Sequence, residues 1–98
     1  MKIITLCGST KFKKEFHQEN AKLTMEGNIV LSVGVFGHSE KVVFKEGEKE
    51  MLDLIHRRKI DLSNEIFVLN VNGYIGKSTK REIAYALQNN KKVKYYDI

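Results

Sequence analysis

Ile66-Phe67-Val68-Leu69-Asn70-Val71-Asn72-Gly73-Tyr74-Ile75-Gly76-Lys77-Ser78-Thr79-Lys80-Arg81-Glu82-Ile83 is the stretch on which the reading of this chain turns. The apolar run from Ile66 to Val71 has the pattern of a strand buried on both faces, as in parallel sheets. A glycine-containing loop follows, then a helix that begins at Lys77 or Ser78, carries Glu82 within its first turn or so, and runs to Asn90. A strand, a glycine loop and a helix N-terminus in that order make a site for anions or sugar–phosphates in an open α/β sheet.

The same alternation extends in both directions. Downstream, Ile83, Ala86 and Leu87 mark the buried face of that helix, and Val93 to Tyr96 forms a last strand. At the N-terminus, Ile3 to Cys7 is a short, almost continuous apolar strand. Gly8-Ser9-Thr10 leads into a helix from Lys11 to Glu26, capped by Ser9 or Thr10, with Phe12, Phe16 and Leu23 near one face and Gly27 as its left-handed stop. Asn28 to Val33 is the second strand. The segment from Gly34 to about Gly47 shows no periodicity, and a loop of that length reads as a lid or part of an interface. Glu46 to Ser63 forms the second helix, with Met51, Leu52, Ile55 and Leu62 at helical spacing.

The order β-α-β-α-β-α-β predicts parallel strands joined by right-handed crossovers, in one domain spanning residues 1–98. Helices must cover both faces, which predicts a doubly wound, flavodoxin-like α/β sheet of four strands ordered 2-1-3-4. The order reverses between the first and third strands, so the loops 8–10, 34–39 and 70–78 converge on one cleft.

Composition narrows the partners. The formal charge is +5, but it comes from scattered lysines with only Arg57, Arg58 and Arg81 as arginines, which is not the clustered pattern of a nucleic-acid reader. Nucleic-acid polymers and membranes are therefore not expected partners; no apolar run approaches the ~20 residues that span a bilayer. The N-terminal segment reads directly as a strand and not as a signal peptide, and a single cysteine fits a reducing cytoplasm.

Glu82 is the sharpest chemical candidate, since a helix N-terminus favours its anion. The alternative is a capping box, Thr79-x-x-Glu82, with the carboxylate turned back onto the Thr79 N–H. Gly76-Lys77-Ser78-Thr79 lacks the first glycine of a P-loop, because Val71 stands at that position. Gly8, Ser9 and Thr10 are expected either to hold a phosphate or sugar or merely to cap a helix. His38 at the cleft is a hydrogen-bonding candidate or a surface histidine, and Phe36 and Tyr74 stack on a base or bury against another subunit. Asn70, Asn72, Gly73, Gly76 and Ser78 complete the loop candidates. Cys7 reads as a small buried residue, and His17 and His56 as solvent-facing or structural. No His/Cys/Asp group has metal-ligand spacing, so neither a metal nor another cofactor is expected.

Ile4-Thr5-Leu6-Cys7-Gly8-Ser9, Glu82-Ile83-Ala84-Tyr85-Ala86-Leu87 and Lys92-Val93 together resemble the nucleoside 2-deoxyribosyltransferase-like superfamily, in order along the whole chain. The sequence looks closest to its small bacterial and phage members. The resemblance implies that Glu82 attacks the anomeric carbon of a deoxyribonucleoside, that Ser9 and the 72–78 loop hold the sugar or its 5′-phosphate, and that a homodimer completes the site. The family's transferases carry an aspartate six residues before the glutamate, where this chain has Gly76. They carry another on the preceding helix, where it has Arg57, with Asp61 one turn later. The expected function is therefore binding of a nucleoside or nucleotide with cleavage or transfer of its N-glycosidic bond. A nucleotide-sensing module without catalysis, or an interaction protein on the same fold, is the alternative.

Overall fold

A computed structural model describes residues 1–97. Four parallel strands, β1 (Ile3–Cys7), β2 (Ile29–Leu31), β3 (Glu65–Val68) and β4 (Lys92–Tyr95), form one sheet in the order β2-β1-β3-β4. The helices α1 (Lys13–Met25), α2 (Glu48–Leu62) and α3 (Lys77–Gln88) connect them in turn. The protein is a flavodoxin-like α/β domain whose sheet order reverses between β1 and β3.

Strand periodicity sorts the core into two layers. Ile4 and Leu6 of β1 and Leu69 after β3 face α1 and pack with Phe16, Leu23 and Phe36. The alternate residues Cys7, Ile66 and Val68 face the other way and pack with Ile60 of α2 and Ala86 of α3. Register fixes which residues meet: Leu6 lies beside Phe67 and Cys7 beside Val68. Thr5, on the second face, is not apolar. Its hydroxyl donates to the Lys59 carbonyl at 3.0 Å and pairs with the Ser63 hydroxyl, which ties the end of α2 to the sheet. At the sheet's amino end, buried Glu65 is held between Lys2 and Lys94, at 3.7 and 3.4 Å.

Some local expectations shift. Helix α1 starts at Lys13 and not at Lys11, because residues 9–12 close a turn instead. Phe12 N–H donates to the Ser9 carbonyl at 3.0 Å, and Ser9 Oγ accepts from the Lys11 N–H at 3.3 Å, so neither Ser9 nor Thr10 caps the helix. Strand β2 ends at Leu31, short of Val33.

The aperiodic segment after β2 is folded down. Phe36 is buried edge-to-face on Phe16, and Val42 N–H donates back to the Gly37 carbonyl at 2.9 Å. The larger correction concerns α2. Met51, Ile55 and Leu62 are exposed, and the residues it buries are His56 and Ile60. On α3, Leu87 is likewise exposed, and burial falls on Thr79 and Ala86.

Candidate functional site

The carboxyl ends of β1 and β3 open into a cleft of about 490 Å³, walled by α2 on one side and by the start of α3 on another. Gly8 makes the first turn possible. Its φ of +155° is strained for a side-chain-bearing residue, and a β-carbon there would sit 3.1 Å from both Cβ and the carbonyl oxygen of Leu69. The chain can therefore leave β1 flush against the end of β3. Thr10 Oγ1 accepts from the His38 N–H at 3.1 Å, which joins the first loop to the segment after β2. Gly8, Ser9, Thr10 and His38 all line the cleft.

The loop after β3 divides its residues. Tyr74, Gly76 and Ser78 line the cleft. The Tyr74 ring carries Lys11 Nζ at 3.6 Å and meets the edge of Phe12. Asn70 does not face the cleft. It is buried, and its amide donates to the Asp97 carbonyl at 2.9 Å and accepts the Asp97 N–H at 2.8 Å. Asn72 and Gly73 form a single 3-10 turn with positive φ, so they reverse the chain rather than present groups to the cleft. Phe36 also leaves the candidate set, because the core beneath α1 needs its ring more than the loop does.

Helix α3 opens at Gly76 with no side-chain cap, so Thr79 heads no capping box. Glu82 falls in the second turn, not the first, and its carboxylate faces the cleft. Behind it stand Cys7 from β1 and His56 from α2. Cys7 Sγ lies 3.4 Å from His56 Nε2, His56 Nε2 lies 3.8 Å from Glu82 Oε1, and the donor atoms of the three all fall within 4.8 Å of one another. In the sequence Cys7 has no adjacent histidine and reads as a small buried residue, and His56 reads as a solvent-facing or structural helix residue; the fold instead buries both and brings them together, which no local ligand spacing reveals.

Burial governs the charge state of this trio. It pushes the Glu82 carboxyl up to about 7, with the negative charge of Asp53 adding to it and the Cys7 thiol, Arg81 and Arg57 opposing it. Burial and the neighbouring Lys59 ammonium bring His56 down to about 4. Burial, then the Glu82 charge, holds the Cys7 thiol well above its ordinary value. At neutral pH the floor of the cleft is thus a thiol, a neutral imidazole and a carboxyl group close to half ionised.

Helix α2 supplies more of the cleft than its sequence advertises. Lys49, Leu52, Asp53, His56 and Lys59 all line it. Their i, i+4, i+7 recurrence was the available signal, masked by the apolar residues beside it. Asp61 faces away. It pairs with Arg58 at 3.0 Å and accepts the Tyr85 hydroxyl at 2.6 Å, so it does not stand in for an aspartate at position 57. Asp53, one turn before Arg57, is the α2 carboxylate that borders Glu82. No family model, curated protein or solved structure matches the chain. Among the described residues no helix is long and apolar enough to cross a membrane.

Proposed function

We propose that the chain binds a nucleoside or nucleotide in this cleft and breaks its N-glycosidic bond with Glu82 as nucleophile. The observation that carries the proposal is a largely buried carboxyl group facing a cavity of about 490 Å³, beside the hydroxyls and backbone of residues 8–10. That volume is in the range of small-molecule sites, and a carboxyl group whose protonation is poised near neutrality is characteristic of reactive positions. In this reading a carboxylate oxygen of Glu82 bonds to the anomeric carbon as the C–N bond breaks, and its electron pair leaves with the base. Asp53 lines the cleft beside Glu82 and can hold the departing base, which takes its proton from solvent. Water then cleaves the glycosyl ester and restores the carboxylate; a second base in place of water would make the reaction a transfer.

The test is incubation with a panel of 2′-deoxynucleosides and their 5′-monophosphates, read by chromatography for free base and by intact mass for a glycosyl adduct. Glu82→Ala should lose base release by at least about 10³-fold while keeping the wild-type circular dichroism. No free base and no adduct from any member of the panel would reject the enzyme reading. Thermal stabilisation by a nucleotide without turnover would instead support a sensing module, which the glycine at position 76 favours. The homodimer belongs to the same proposal. The exposed Met51, Leu54 and Leu62 on α2, next to Ile55 at the cleft edge, are the apolar surface that supports it.

A further inference from the structure

The trio at the cleft floor also has a use that excludes the glycosidic one while it operates, because a Glu82 carboxylate bound to a metal is not free to attack an anomeric carbon. Three different donor types, a thiol sulfur, an imidazole nitrogen and a carboxylate oxygen, come from three separate elements, and their ligand atoms all lie within 4.8 Å of one another. Tetrahedral zinc with bonds of about 2.3 Å to sulfur and about 2.0–2.2 Å to nitrogen and oxygen sets its ligand atoms roughly 3.3–3.6 Å apart. The observed separations of 3.4 Å for Cys7–His56 and 3.8 Å for His56–Glu82 are close to those edges. From this geometry we infer that Cys7, His56 and Glu82 form a three-ligand site for Zn²⁺ whose fourth position opens into the cleft.

The surroundings agree with the donor set. Cys7 is fully buried and His56 nearly so, which shields a thiolate–metal bond from bulk water, while His56 and Glu82 both reach the cleft. Thiolate and imidazole together select zinc over the hard cations magnesium and calcium. Two anionic ligands balance the charge of the ion. Asp53 adds a further negative charge at the rim, against the positive charges of Lys59, Arg57 and Arg81. Binding expels the thiol proton, as zinc–cysteine sites do. The rigid parts are in place beforehand, since Cys7 is fixed in the central strand and His56 lies on a helix tied to that strand through Thr5.

Cobalt titration of chelator-stripped protein, with no nucleoside present, tests the site independently of any glycosidic activity. The wild type should bind one Co²⁺ with the near-ultraviolet thiolate-to-cobalt charge-transfer band and the intense visible bands of a tetrahedral site. Zn²⁺ should displace it one for one. Cys7→Ser should lose the charge-transfer band, and His56→Gln should weaken Zn²⁺ binding by at least about a hundredfold, the upper end of what losing even an outer hydrogen-bond partner does. His17→Ala, on the exposed side of α1 and outside the cleft, should bind as the wild type does. Absence of the band in wild-type protein under excess Co²⁺ would overturn the inference without reliance on any variant. So would an undiminished band and affinity in a folded His56→Gln protein, because Cys7 would then be binding with other partners.

Discussion

At the residue scale, Glu82 and His56 are buried side by side with shifts of opposite consequence. Glu82 titrates near 7 in the folded chain, against 4.5 for a free carboxyl. Between those values the folded state holds a proton that the unfolded state has released, so stability falls as pH rises from about 4.5 to about 7. His56 titrates near 4 against 6.5, so the unfolded state holds the extra proton and stability rises from about 4 to about 6.5. Each effect is on the order of 3 kcal/mol, and across most of the shared window they cancel. Denaturant midpoints of the metal-free wild type should therefore change little over that range. Glu82→Gln should expose the histidine's rise with pH, and His56→Gln the carboxyl's fall; parallel profiles for both variants would refute the assignment. Gly8 makes a second prediction at this scale. Gly8→Ala combines positive-φ strain with crowding against Leu69 and should lower stability by roughly 2–4 kcal/mol in urea unfolding.

At the element scale, α2 is where sequence and structure part. Its apolar side chains at helical spacing invite the reading that they form the buried face, yet Met51, Ile55 and Leu62 are 51, 42 and 68% exposed, and His56 is 7% exposed. The helix spends one face on the cleft and the sheet and leaves an apolar stripe outside. No single-chain periodicity tells a core stripe from a stripe turned outward, because both obey the same 3.6-residue repeat. Leu54→Glu charges that stripe without touching the core. If α2 mediates self-association, sedimentation should show the wild type as a dimer and the variant as a monomer with an unchanged fold; a wild-type monomer at high concentration would remove α2 from that role. On α3 and β1 the reading came closer. Alternation in Ile3–Cys7 is invisible when both faces are apolar, but strand existence follows from the run itself.

At the scale of the whole molecule, strand order was legible because alternating strands and helices admit few topologies once crossovers are right-handed. The position of the cleft follows from that order, and with it the placement of residues 8–10, 38, 74, 76 and 82 around it. The trio at its floor was not legible. Cys7 and His56 are separated by 49 positions, and only the register of β1 against α2 makes them neighbours. Loop residues failed for a related reason: Phe36 and Asn70 satisfy the core and the backbone, needs that sequence position alone does not reveal.

The double hydrogen bond between Asn70 and Asp97 bears on how the protein should be handled at the bench. It moors the last described residue of the chain to the loop that leads, through Tyr74, to the rim of the cleft. A purification handle, surface-immobilisation linker or fluorophore carried on the C-terminal side would tug on that mooring. The backbone around residue 1, by contrast, lies at the opposite end of β1, with Met1 95% exposed. Attachment chemistry belongs there, where a load on the chain is borne by the sheet.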